Sequence, residues 1–167
     1  MTQKSYSIAD ELLQACKNNN TVQALNCFIP QAKVESYTTL ADENGKTAFM
    51  WAIINKNETL VHAFLEAGAP LHQKDKNGWG LAFYAAASQC PRIIHLLAQN
   101  GVSFFDKKGN TNAYTIACQT GHKASIATIY QILHDDIITQ QTLSYMHTTI
   151  NHQRLKNLHI TMHHRCR

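Results

Sequence analysis

No run of apolar residues in this chain approaches the roughly eighteen that a membrane span needs, so no transmembrane helix is expected. The opening residues, MTQKSYSIADELLQ, hold no apolar stretch of signal-peptide type. Cysteine is sparse and odd in number, five in all, irregularly spaced and without a CxxC. That excludes a disulfide scaffold and a zinc-finger pattern, and points to a reducing, cytoplasmic setting. Proline occurs three times and glycine seven, too few for a collagen-like or low-complexity chain. The chain also lacks a phosphate-binding glycine loop, GxSxG, HExxH and GxGxxG. No catalytic residue and no cofactor is therefore assigned, and an enzyme is not expected.

What is present is enough for a core. Hydrophobic residues make up 44% of 167, which suits one domain or a small domain with a tail. Charge is unevenly placed. All 11 Asp and Glu lie at or before Asp136, together with 11 of the 15 Lys and Arg, so that stretch is formally neutral. Arg154, Lys156, Arg165 and Arg167 carry the net +4, and His147, His152, His159, His163 and His164 lie among them. Body and tail are electrostatically different objects.

Residues 42–74 and 75–107 superpose at a period of 33 with seven identities, where average usage would give roughly two. Asn44-Gly45 and Asn77-Gly78 are turn dipeptides. Thr47 is placed to cap a helix over Ala48–Asn55 that carries Phe49, Ala52 and Ile53 on one face. A second helix, about Glu58–Ala67, carries Leu60, Val61, Phe64 and Leu65, and Gly68 stops it. The next unit repeats this with Ile93, Ile94 and Leu97, with Pro91 in the first turn of its second helix and Gly101 after it. The six residues Leu60, Val61, Phe64, Ile93, Ile94 and Leu97 are the expected core.

This pattern resembles the ankyrin repeat. The 33-residue period, the glycine turn, the short alanine-containing helix and the ending Phe64-Leu65-Glu66-Ala67-Gly68-Ala69 match it, as does Leu97-Ala98-Gln99-Asn100-Gly101-Val102. A third unit runs from about Asp106, where Ala117-Cys118-Gln119-Thr120-Gly121-His122 fits the family's A-A-x-x-G-H. Its turn is one residue longer, and its second helix is expected to reach His134. The family's T-P-L-H is absent, replaced by TAFM, GLAF and NAYT, so the turns are expected to be looser than in consensus repeats. A capping unit precedes these, with one helix over Glu11–Asn20 and another over Thr21–Ile29 carrying Val22, Leu25, Cys27 and Phe28 and ended by Pro30. Gln31–Ala41 is a long connection. Stripes within Ile137–Ile150 and Leu155–Met162 suggest a C-terminal cap.

The resemblance implies an all-α solenoid of helix–turn–helix pairs with projecting turns, about four to five pairs. Residues 1–136 form the repeat domain, with a cap at about 7–30 and repeats at about 42–74, 75–105 and 106–136. Residues 137–167 form the C-terminal helical cap and the basic, histidine-rich tail. It further implies a non-catalytic module, monomeric, that binds a partner protein in a concave groove. Turn tips (Asp42–Lys46, Asp75–Trp79, Asp106–Thr111) and outward first-helix positions (Ile54, Asn55, Ala87, Ser88, Gln119, Thr120) would line that groove. Such chains include bacterial proteins delivered into host cells, and the richness in Asn, Gln, Ile and Lys points to an AT-rich genome.

Trp79 occupies the slot of Lys46 one repeat on, and a core position does not alternate between Lys and Trp. Trp79 is thus the candidate hot spot, against the plainer reading that it folds back over Tyr84 or Phe105. The partner-binding candidates are Lys46, Trp79, Lys107, Asn55, Ser88 and Gln119. The tip lysines alternate with Asp75 and Asp106, which reads as a mixed polar rim, and nucleic acid is not the expected ligand. A competing reading puts nucleic-acid or acidic-surface binding in the basic tail, with the repeats as scaffold. His159 and His163, with His164 and Cys166, have metal-ligand spacing, but a solvated helix end explains them more simply, and no metal is assigned. Cys16, Cys27 and Cys118 read as small core residues, and His62 and His95 as surface residues of the second helices.

Overall fold

The structure, a computed structural model, describes residues 7–28 and 39–140. The chain divides into two compact units, Met1–Ile132 and Leu133–Arg167. The first unit holds helix pairs: α1 (Ile8–Lys17) with α2 (Thr21–Asn26), then α3 (Ala48–Ile54) with α4 (Glu58–Glu66), then α5 (Leu81–Ser88) with α6 (Pro91–Gln99). A hairpin of β1 (Lys107–Lys108) and β2 (Thr111–Asn112) leads into α7 (Ala113–Thr120), followed by helical residues from 123 onward. Four pairs are thus present among the described residues, and the fold of this unit is an all-α repeat solenoid.

Capping sets the helix starts. Ser7, Thr47 and Asn112 each accept a backbone N–H three residues on, and Asn20 and Asn57 do the same for α2 and α4. Pro91 opens α6 at its first turn. The left-handed residue that turns each first helix into its second is Asn19, Lys56, Gln89 and Gly121 in succession.

Among the described helices, the main packing runs between neighbours. First helices stand in file, α1 on α3, α3 on α5 and α5 on α7, and second helices likewise, α2 on α4 and α4 on α6. Leu60, Val61, Phe64, Ile93, Ile94 and Leu97 are completely buried, as expected. Phe64 stacks on Phe49 at 4.9 Å and meets Phe28 edge-on at 5.0 Å, tying the cap to the first repeat. Helix α5 is buried on nearly every side, and its small Ala85 and Ala86 let α3 and α7 close in from opposite flanks.

Three sequence expectations need correction. Helix α2 stops at Asn26 rather than Ile29, and Val22 and Leu25 face solvent at 72% and 38% exposure. Among the described elements, α1 and α4 are the ones that chiefly pack on this helix, and Ala24 is its buried residue. Cys118 is exposed, not core, because Ile116 and Ala117 take the buried positions of α7. Finally, α1 spans Ile8–Lys17 rather than Glu11–Asn20, while the helical residues after 123 reach His134 as expected.

Within the second unit, residues 133–140 are helical. Thr139 donates its hydroxyl to the Asp135 carbonyl at 2.9 Å, and Ile137 and Ile138 are half exposed. The expected cap helices beyond residue 140, the tail and its His/Cys set lie outside the described residues. So does most of the connection after Phe28.

Candidate partner-binding surface

Each of the first two turns is built around one carboxylate. Asp42 Oδ1 accepts the backbone N–H groups of Asn44 and Lys46, both at 2.9 Å, and its Oδ2 accepts the indole N–H of Trp51 at 3.1 Å. Lys17 Nζ lies 3.7 Å from the same oxygen. One period on, Asp75 Oδ1 accepts the N–H groups of Asn77 (2.9 Å) and Trp79 (2.7 Å), and Oδ2 accepts the Tyr84 hydroxyl at 2.7 Å. The side chain of Asp42 is only 3% exposed, and Asp75 is 7% exposed.

Burial alone would push both carboxyls up. The hydrogen bonds aimed at the charged form outweigh it, and both stand below the ordinary carboxylate value. Burial and the neighbouring Asp75 raise the Tyr84 phenol in turn. The turns are therefore not loose. Asp42–Trp51 and Asp75–Tyr84 replace the missing hydroxyl–histidine signature. The signal for them was in the chain: an identical Asp in each turn, and a hydrogen-bonding aromatic nine residues later.

The two tips are also joined to each other. Lys76 N–H donates to the Asn44 carbonyl at 3.0 Å. Gly45, at φ +80°, lies so close to this bond that a Cβ would come within 2.6 Å of Lys76 N. Gly78, at φ +78°, has no such neighbour.

Lys46 and Trp79 share a slot because both cover aromatic faces. Lys46 Nζ sits 5.0 Å from the Trp51 ring and 5.7 Å from that of Tyr84. Trp79 tilts against Phe83 at 5.6 Å and Tyr84 at 6.4 Å, with Lys108 Nζ 5.9 Å over its other side. Trp79 is half-buried in this sandwich and folds onto the helix aromatics.

The other candidates separate. Lys107 and Gln119 are exposed. Asn55 is half-buried and donates to the Cys16 carbonyl at 2.7 Å, bridging the cap to the first repeat. Ser88 is not an outward position. It is 5% exposed, with its hydroxyl on the Ala85 carbonyl at 2.8 Å, because the flanked α5 leaves only Ala87 to solvent in that turn. On the second helices, His62 and His95 are exposed and border a shallow depression with Glu58, Arg92 and Gln99. Among the described residues no cluster of His, Cys, Asp or Glu could hold a metal. Cys16, buried beside Cys27, has its thiol pushed up to about 12 by burial, far from a reactive thiolate.

A family model described as "Ankyrin repeats (3 copies)" matches residues 12–108. The chain belongs to the ankyrin-repeat family. No curated protein matches it. Ankyrin repeats are generally protein–protein interaction modules and generally not enzymes. No helix among the described residues is long and apolar enough to cross a membrane.

Proposed function

We propose that this ankyrin-repeat chain is a monomeric, non-catalytic module that holds a partner protein along its turn tips and the exposed ends of its first helices. One observation carries the reading. The tip backbones are fastened from inside by Asp42 and Asp75 and to each other through Lys76 and Asn44, while Lys76, Asn77 and Lys107 point outward. A surface ordered before binding loses little entropy on docking. Lys46, Trp79, Lys107 and Gln119 are the contact candidates. Asn55 contributes through its half-buried edge, and Ser88 acts from beneath by shaping α5. We extend the reading to a bacterial chain whose partner is a host protein, on the family resemblance alone.

The test is a partner selected on the full chain and then measured against variants. Lys107→Ala with Gln119→Ala should weaken binding by about 2 kcal/mol or more, roughly thirtyfold, with an unchanged melting curve. Binding that survives this pair and Trp79→Ala, but vanishes when Arg154, Lys156, Arg165 and Arg167 are neutralised, would move the function to the tail.

A further inference from the structure

The sequence shows acids and bases alternating along the tips, but the structure sorts them by direction. Asp42 and Asp75 point inward and are occupied by backbone and aromatic donors. Asp106 is engaged by Lys74 at 3.5 Å. Lys76, Lys107 and Lys108 are exposed, and among the described residues neither they nor Lys46 pair with any carboxylate. Lys46 and Lys108 are further held in place by the rings beneath them. The exposed acids of these tips are Glu43 and the Lys74-paired Asp106. Among the exposed tip side chains, lysines therefore outnumber acids.

We infer, building on the binding reading above, that the partner segment seated on these tips is an acidic, extended stretch of protein chain whose carboxylates meet Lys46, Lys76, Lys107 and Lys108. Charge complementarity of this kind steers encounter and sets register. The same lysines would attract phosphates, but other features favour a peptide. The tips carry no arginine fork to grip a phosphate. The rings of Trp51, Trp79 and Tyr84 each have a lysine or another ring against them, which leaves less ring face on which bases could stack.

Three labelled probes test this by fluorescence anisotropy on the full chain: a sixteen-residue peptide alternating Glu and Ser, its Gln and Ser counterpart, and a sixteen-nucleotide oligothymidine. The Glu–Ser peptide should bind at least tenfold tighter than the Gln–Ser peptide. It should lose at least tenfold in Lys76→Gln/Lys107→Gln and lose nothing when Arg154, Lys156, Arg165 and Arg167 become Gln. Both tip changes are on exposed turns, and matching melting curves confirm that the fold is kept. Failure of the Glu–Ser peptide to bind, equal binding of the two peptides, a loss that follows the tail, or tighter binding of oligothymidine would each overturn the inference. A selected partner that maps to Lys107 and Gln119 yet presents a neutral or basic segment there would also overturn it. In that case the module's role in protein binding would stand.

Discussion

The turns at Asp42 and Asp75 and the turn at residues 107–112 solve one problem in two ways. The first two place a carboxylate inside the loop, where it gathers two backbone N–H groups and an aromatic donor. All three turns pair backbone across the loop, the first two by a single bridge each (Ala41 with Thr47, Lys74 with Gly80). The third, one residue longer, extends this to two pairs, Lys107 opposite Asn112 and Lys108 opposite Thr111, with Gly109 at φ +58° at the bend and no carboxylate inside. Its acid, Asp106, is left on the surface in an exposed pair with Lys74. In the shorter loops one bridge leaves further N–H groups at the tip, and the internal carboxylate accepts them. The choice also decides which acids face solvent, because a carboxylate turned inward keeps its charge but is not presented on the surface.

The largest expected effect tests whether the two kinds of turn rest on one core. Phe64→Ala removes a completely buried ring between Phe28 and Phe49 and should cost about 3–5 kcal/mol in denaturant unfolding. Amide exchange should then rise at all three turns together. Continued protection of the third turn alone would show that it is carried by a separate cooperative unit.

Next come the glycines that separate the two carboxylate-held turns from each other. Gly45→Ala meets both the left-handed backbone and the Lys76 amide, whereas Gly78→Ala meets the backbone alone. The second should cost about 1–2 kcal/mol and the first clearly more, with the Lys76 amide losing its exchange protection. Equal costs would mean that the tip-to-tip bond contributes nothing.

The carboxylates themselves follow. Asp75→Asn should cost about 2 kcal/mol, because four donors lose a charged acceptor, while Asp106→Asn should stay within about 0.5 kcal/mol. The pH dependence has a definite sign. Asp42 and Asp75 have folded-state pKa values below the ordinary 3.8, so their stabilisation is fully present above that value. It is lost as pH falls from there through the lowered folded-state values. Melting temperatures measured down this acid limb should fall more steeply in the parent than in Asp42→Asn/Asp75→Asn. Identical limbs would remove the carboxylates from the account.

The smallest effect concerns the other side of each unit. Gln89 holds a left-handed backbone that Gly121 supplies in the third unit. Gln89→Gly should raise stability by about 0.5–1 kcal/mol, less than the full strain because glycine is also freer when unfolded.

Much of this was legible in the residues. Gly45, Gly68, Gly78 and Gly101 all take positive φ where the period placed them, and Thr47 caps α3. Ser88 and Cys118 were misplaced because a helical face says which residues align, not how many neighbours crowd them. The stripe at Val22 and Leu25 was over-read for the same reason, since its exposure depends on what packs against α2. Trp79 was read as free because its slot alternates with lysine, yet both residues serve as covers for rings on the helices behind.

By itself, the sequence determined the period, the glycine and cap positions of the two clear repeats and the six-residue core. These follow from backbone sterics and from apolar spacing along one chain, which are local properties. Only the tertiary structure decided that Asp42 reaches Trp51, that Asp75 reaches Tyr84, and that the lysines of successive tips are therefore left facing out. Those outcomes depend on side-chain direction and on distances between separate elements. A linear pattern of alternating charges looks the same whether its acids point to solvent or to the backbone.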